Sequence, residues 1–172
     1  NKLDSSARYG HINGIRALHR VQGTHRWTVT FEDIVNAEAL LLVGTNITEA
    51  NPITGLKVKE AVKKHGAALI TVEALQPAVG TISNIANLSA HHFGVHPDRF
   101  QAVVLGLIKA VVEEGLVAPP LTQRAPAFVK ATGDAVTALA WPAIEQQTGT
   151  TSASLKDAAR AFAKTARAVI LV

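Results

Sequence analysis

The stretch from Ala37 to Pro52 reads AEALLLVGTNITEANP and decides how the rest of the chain is organised. Residues 39 to 43 are an apolar run of strand length, and the small polar turn Gly44-Thr45-Asn46 follows at once. Asn51-Pro52 then opens a helical pattern, because proline is well suited to the first turn of a helix. In an open parallel sheet, a turn between a strand and a helix lies at the carboxyl edge, where ligands bind.

Two interpretations of this turn are open. Free backbone amides at the start of a helix favour a phosphate group, which makes the turn a candidate phosphate site. A single Gly-x-Asn is a weak motif, however, and an ordinary strand-to-helix loop has the same shape. Glu49 would repel a phosphate unless its carboxylate points away, or it caps free amides instead.

A helix and a second strand follow this turn. The helix predicted from Pro52 to His65 is amphipathic, and Gly66 ends it. Residues 67 to 72 (AALITV) are a second apolar run, which ends in Glu73. Strands joined through a helix run parallel, with a right-handed crossover. The sequence therefore predicts an α/β fold, a three-layer Rossmann-like parallel sheet with flanking helices.

The remaining elements follow from periodicity and capping signals. They are a helix at 7–21, a short third strand at 85–89, a helix at 98–114, one or two helices within 127–147 broken near Trp141-Pro142, a helix at 155–165 and a strand at 167–172. We expect a Rossmann-like subdomain over residues 1–117 and a helical segment over 118–172 that leads into a further strand. Because the chain starts without Met and stops in an apolar run, we expect it to be part of a longer polypeptide.

Composition excludes several classes of function. The net charge is +4, but basic residues are scattered and aromatic residues make up only 5% of the chain, so there is no stacking platform for nucleic acid. The chain has no cysteine, which excludes disulfides, thiolate-held Fe–S clusters and a catalytic cysteine within these residues. No apolar run reaches the roughly 18 residues of a membrane span.

Few residues are arranged for chemistry of their own. Glu73 ends a strand where an acid binds ribose hydroxyls in dinucleotide folds, but it follows Gly44 by 29 residues instead of about 20. A solvated strand-end carboxylate is the alternative for Glu73. His91 and His92 are adjacent, so on an extended segment they point to opposite faces and rarely share a metal, with His96 as the nearest third histidine. The sequence predicts neither a catalytic centre nor a metal site.

Several stretches, taken together, resemble the molybdopterin oxidoreductase superfamily nearly from end to end. The most specific is GTNITEANP at residues 44–52, which resembles the family's Gly-Ser-Asn-Pro-x-Glu-x-His-Pro. The opening residues 1–8 resemble the Asn-x-Asp-x-x-Ala-Arg segment of formate dehydrogenase-like chains. Residues 157–172 resemble the helix and strand that open the family's next α/β half.

The resemblance implies a cofactor site. In this family the glycine-asparagine turn and the end of the second strand hold the guanosine diphosphate part of molybdopterin guanine dinucleotide. If that site is retained, its cofactor-binding residues are Gly44, Thr45, Asn46, Glu49, Asn51 and Glu73. The chain departs from the family pattern after Glu73, where the arginine is missing, and at residues 97–100 (PDRF), where the family has Pro-Gly-Thr-Asp.

These departures point to a branch of the family that keeps the fold without the cofactor, such as the large subunit of NADH-quinone oxidoreductase, the respiratory complex I type of enzyme. The stretches most similar to that subunit are LDSSARYG at residues 3–10 and GTNITEANP at residues 44–52. That branch implies a scaffolding domain of a larger oxidoreductase that passes electrons from NADH to quinone. The domain would be inactive alone and hold no cofactor, with Fe–S clusters elsewhere in the full chain. Its partners would be other domains and subunits of a respiratory complex, cytoplasmic and peripheral on the inner face of the cell membrane. The alternative is the cofactor-binding domain of an active formate dehydrogenase-like enzyme, which holds molybdopterin guanine dinucleotide with molybdenum or tungsten.

Overall fold

The computed structural model describes residues 12–23, 28–74 and 85–172. The chain forms two compact units, residues 1–30 and residues 31–172. The first contains helix α1 (Ile12–Gln22), which overlaps the predicted helix at 7–21 and extends one residue beyond it. Residues 7–11 of that prediction lie outside the described residues.

The second unit is built on a four-stranded sheet. Its strands are β1 (Ala39–Val43), β2 (Ala68–Ala74), β3 (His91–Val95) and β4 (Ala168–Leu171). They lie in the order β3-β2-β1-β4, and every neighbouring pair is parallel. The predicted parallel α/β sheet is confirmed, and β1 has the bounds that the sequence predicts.

The described ranges contain nine α-helices. After α1 they are α2 (Phe31–Val35), α3 (Ile47–Ala50), α4 (Pro52–His65), α5 (Phe100–Glu113), α6 (Pro119–Arg124), α7 (Pro126–Thr137), α8 (Trp141–Thr148) and α9 (Ser152–Ala163). The ends of α4 are as predicted: Pro52 starts it and Gly66, at φ 71°, ends it in the left-handed region. None of the described helices has the length and apolarity to cross a membrane.

The third strand lies further along the chain than the sequence predicts. The prediction for residues 85–89 is an extended segment, but Ala86–Leu88 is a short 3-10 helix and the strand begins at His91. Along β3, Phe93 and Val95 are buried and alternate with outward-facing residues. In the sequence, two histidines and a glycine obscure this alternation. The apolar residues that precede β3 lie instead in the turn and 3-10 helix at residues 85–88.

The main core lies between one face of the sheet and three helices. Alternate strand residues, among them Leu41, Ile70 and Phe93, pack against Leu107 of α5 and Leu155 of α9. Ile144 of α8 belongs to the same cluster. The other strand face carries Leu40, Leu42 and Leu69, which have no exposed surface. Burial on both faces explains why β1 and β2 read as continuous apolar runs.

Residues 118–167 return the chain from α5 to the sheet. The predicted break between helices falls at residues 138–140, and Thr151 caps α9 by accepting a hydrogen bond from the Ser154 amide at 3.2 Å. Helix α6 has no counterpart in the elements predicted from the sequence. β4 then pairs with β1 in the same sheet. The division of the chain at residues 117 and 118 stays a prediction.

A buried lysine ties this helical segment to α5. The Lys109 side chain is 3% exposed, and its ammonium donates to the carbonyls of Val136 and Thr137, both at 3.3 Å. The same ammonium lies 2.6 Å from a carboxylate oxygen of Glu113. Trp141 donates its indole N–H to the other Glu113 oxygen at 2.9 Å. One cation thus closes the C-terminal end of α7 and joins α5, α7 and α8.

We expect Lys109→Met to lower the free energy of unfolding by about 2–4 kcal/mol, because two carbonyls lose their donor and Glu113 loses its nearest cation. The matched control is Lys130→Met, which breaks an exposed 2.7 Å pair with Asp134 and should cost less than about 0.5 kcal/mol. Urea unfolding measures both variants. Equal losses of unfolding free energy in the two variants would show that the contacts of Lys109 between α5 and α7 do not stabilise the fold.

Two helix glycines provide a second test of the core. A Cβ on Gly106 would lie 2.9 Å from Leu155 Cδ1 and 3.2 Å from Ile144 Cγ2, whereas a Cβ on Gly133 would meet only Val112, at 3.7 Å. Gly106→Ala should therefore destabilise by about 1–2 kcal/mol through overpacking. Gly133→Ala should stabilise by about 0.5–1 kcal/mol through helix propensity. Thermal unfolding compares the two, and a stabilised Gly106→Ala variant would contradict the close α5–α9 packing.

Candidate functional site

The turn after β1 lies at the carboxyl rim of the sheet, as predicted. Gly44 has φ +73°, a left-handed conformation that favours glycine, and its amide donates to the Val72 carbonyl of β2 at 2.8 Å. β1 lies between β2 and β4, and the strand order reverses there, since β2 and β3 continue to one side and β4 lies on the other. Such a switch point is where open α/β sheets bind ligands.

The backbone amides after Gly44 are the donors that this rim offers. Within the described part of the chain, the amides of Thr45, Asn46, Ile47 and Thr48 donate to no acceptor. The Asn46 carbonyl accepts from the Glu49 and Ala50 amides, and the Asn46 side-chain oxygen accepts from the Thr48 hydroxyl at 2.7 Å. These bonds hold the turn in a fixed shape with its own amides unused.

Asn51 and Glu49 have more ordinary surroundings. The Asn51 side-chain oxygen accepts a long hydrogen bond, 3.5 Å, from the Thr54 amide and so caps α4. This cap gives Asn51 a structural role, and its role as a cofactor contact stays a prediction. Glu49 lies exposed in the first turn of the four-residue helix α3.

Glu73 is close to the turn because its neighbour in sequence, Val72, accepts a hydrogen bond from Gly44. β2 continues to Ala74, so Glu73 lies inside the strand, half-buried and opposite Gly94 of β3. Because Gly44 is bonded to Val72, the structure brings the carboxyl ends of β1 and β2 together at the same rim. A role for Glu73 as a cofactor ligand stays a prediction.

Phe100, the first residue of α5, lies directly over Gly44. A Cβ built on Gly44 would be 3.1 Å from Phe100 Cε2 and 3.3 Å from Cδ2. The ring is half-buried and also packs against the main core. In the sequence, Phe100 stands out only as a departure from a family pattern. An aromatic residue at the start of the helix after β3 is the one signal that could have placed it here.

A charged cluster precedes Phe100 on the loop after β3. The His96 ring lies 2.6 Å from the Asp98 carboxylate and Arg99 lies 3.4 Å from it. The hydrogen bond from His96 holds the pKa of Asp98 below its usual range. All three side chains are exposed, so these contacts are solvent-screened.

His91 and His92 lie on β3 itself, before this charged cluster. In the strand register, His91 is opposite Ile70 and His92 is opposite Thr71, so the two rings project to opposite faces, as predicted. The His92 ring lies 2.9 Å from the buried Thr71 hydroxyl. In the described ranges, no three His, Asp or Glu residues are grouped as metal ligands would be.

The residues of the rim fit a phosphate-bearing group in part. The unused amides of Thr45 to Thr48 suit the phosphate oxygens of a nucleotide. The backbone of Gly44 is different, because the Phe100 ring already fills the space that the missing side chain leaves. The donors that this rim offers a pterin nucleotide are therefore the amides after Gly44, because the Gly44 amide already donates to the Val72 carbonyl.

The chain is similar in sequence and in fold to several known proteins. The chain is 24% identical over 117 residues to the alpha subunit of the F420-dependent formate dehydrogenase of Methanocaldococcus jannaschii, covering 68% of this chain and 16% of that protein. It is 26% identical over 137 residues to the assimilatory nitrate reductase catalytic subunit of Bacillus subtilis, covering 80% and 18%. Its fold matches acetylene hydratase from Pelobacter acetylenicus with a TM-score of 0.76 at 22% identity, over 98% of this chain and 22% of that one.

The chain therefore spans about a fifth of the length of these relatives. The relatives named here are a formate dehydrogenase, a nitrate reductase and acetylene hydratase, and none is an NADH-quinone oxidoreductase. The sequence profile of the molybdopterin oxidoreductase family matches residues 3–168, nearly the whole chain. The chain belongs to the molybdopterin oxidoreductase family.

Proposed function

We propose that this chain is a cofactor-binding domain in the catalytic subunit of a molybdenum or tungsten oxidoreductase of the formate dehydrogenase-like type. The observation that carries the proposal is the turn after β1, in which the amides of Thr45 to Thr48 are unused at the switch point of the sheet. Similarity to a formate dehydrogenase and a nitrate reductase supports it. From the sequence alone this was the alternative, and the relatives favour it over the first hypothesis.

In this proposal the domain binds and orients, and the cofactor supplies the redox chemistry. The amides of Thr45 to Thr48 hold the phosphates of the pterin nucleotide, and the Asn46 side chain contacts it through the amide nitrogen that Thr48 leaves free. Glu49, Asn51 and Glu73 are the remaining proposed contacts. The other parts of the site, the electron donor and the acceptor belong to the rest of the subunit and its partners.

A scaffolding domain in a respiratory complex of the NADH-quinone oxidoreductase type is the second candidate. The observation that favours it is the Phe100 ring lying on Gly44, which leaves less room for a nucleotide. On this hypothesis the domain holds no cofactor and contacts other domains and subunits at the inner face of the membrane.

Metal and pterin analysis of the full-length protein from its native host distinguishes the two candidates. We expect about one molybdenum or tungsten atom per subunit together with a pterin nucleotide, measured by plasma mass spectrometry and pterin fluorescence after oxidation. A purified, folded protein with neither metal nor pterin would reject the first candidate and leave the scaffold.

We expect Asn46→Ala to lower the pterin and metal content of that protein without changing its stability by more than about 0.5 kcal/mol, because the Asn46 side chain caps no backbone amide. The matched control is Thr151→Ala, which removes the cap of α9 and should cost about 1 kcal/mol while leaving the cofactor content unchanged. A large loss of stability in Asn46→Ala would assign that residue to the turn and not to the ligand.

A further inference from the structure

The outer edge of β4 has no strand beside it in the described part of the chain. β4 pairs with β1 and lies last in the order β3-β2-β1-β4. The Arg167 carbonyl accepts from the first amide of β1 at 3.3 Å, and along a strand the backbone groups of successive residues point to alternate sides. The N–H and C=O groups of Val169 and Leu171 therefore point to β1, whereas those of Ala168 and Ile170 point to the open edge.

The Ile170 side chain is uncovered on the face of the sheet that carries the main core. Ile170 is in register with Leu41 of β1, so the two side chains share this face. Leu41 is 8% exposed within the core, whereas Ile170 is 54% exposed. Edge strands of natural proteins are commonly protected by charged residues or proline, and β4, with the sequence AVIL, has neither. Both its backbone edge and its apolar surface are those of an internal strand.

We propose that the open edge of β4 is a docking surface for a further parallel strand of the same subunit, whose connecting helix covers Ile170. The order β3-β2-β1-β4 is the first part of the doubly wound order 3-2-1-4-5-6, in which the fifth strand lies beside the fourth. This chain covers 16% to 22% of the relatives named above, so most of a subunit of that length can supply the strand. The proposal goes beyond the cofactor site and does not depend on it.

The handedness of the existing connections assigns the helix to the face on which Ile170 is exposed. α4 joins β1 to β2, and its buried residues Val58 and Ala61 lie outside the main core cluster, so α4 lies on the opposite face. α5 and α9 connect β3 to β4 and pack on the main-core face. These two connections run across the sheet in opposite directions, as right-handed crossovers on opposite faces require. A connection from β4 outward continues the direction from β3 to β4, so its helix also lies on the main-core face.

A second copy of this chain suits the edge less well. Two β4 strands joined edge to edge would contribute four residues each, which is too small a contact for the roughly 1,200–2,000 Å² that a stable interface buries. Such a pair would also supply no helix to cover Ile170. A strand and its connecting helix from the same polypeptide satisfy both the backbone groups and the side chain.

Hydrogen exchange of the full-length protein, resolved to single amides by fragmentation mass spectrometry, tests the edge. On a free edge, the amides of Ala168 and Ile170 exchange as in an unstructured chain, while those of Val169 and Leu171 are protected by β1. We expect all four amides to exchange at least about 100-fold more slowly than unstructured amides. Fast exchange at the two outward positions beside slow exchange at the two inward ones would overturn the proposal.

A photo-crosslinker identifies what covers the face. In the full-length protein, Ile170→p-benzoylphenylalanine should crosslink to a segment of the same polypeptide outside residues 1–172, mapped by peptide mass spectrometry. A crosslink to a second copy, to another subunit or to residues within 1–172 would overturn the proposal, and so would the absence of any crosslink.

Ile170→Glu and Phe128→Glu form a matched pair, because the two side chains are 54% and 57% exposed. We expect Ile170→Glu to speed exchange of the outward β4 amides at least about tenfold, since the covering helix would bury an unpaired carboxylate. Phe128→Glu, on α7, should leave these amides unchanged. The same exchange rates in both variants would contradict the proposal. If Ile170→Glu does not fold, the wild-type exchange pattern still decides the question. Neither readout uses metal or pterin content, so the proposed function is tested separately.

Discussion

Burial of β1 on both faces is the constraint on which the rest of this structure depends. Leu40 and Leu42 have no exposed surface on one face, and Leu41 is buried in the main core on the other. A strand with no solvent-facing side needs helices on both sides of the sheet, and parallel neighbours allow helices to serve as the connections. β2 on one side and β4 on the other satisfy the backbone groups of β1.

The same constraint places the candidate site. Because β1 is central, its chain must leave the sheet at the carboxyl end between two neighbours, and the turn there is bonded to β2 through Gly44 and Val72. Gly44 can adopt φ +73° without strain, and the bonds around Asn46 then turn the chain into α3 with its amides unused. The position of the turn and the geometry of its donors thus follow from the strand.

A structural element could be predicted from the sequence where its pattern lies within a short stretch of the chain. Strand β1, helix α4 and the parallel β1–β2 pair each have apolar periodicity and clear end signals, and they were predicted correctly. β3 was misplaced because its inward residues, Phe93 and Val95, are separated by a glycine and preceded by two histidines. The pairing of β4 with β1 joins residues about 130 positions apart, and no local pattern encodes a contact of that range.

The contact between Phe100 and Gly44 lay beyond sequence reasoning for the same reason, and it changes what the glycine means. A glycine after a strand invites the interpretation that a ligand approaches its backbone closely. Here the positive φ already requires glycine, and a side chain from α5 uses the space. The glycine alone therefore does not indicate a bound nucleotide. The unused amides of the next four residues are the donors that remain at this rim, because no acceptor within the described chain satisfies them, as is usual at the start of a helix.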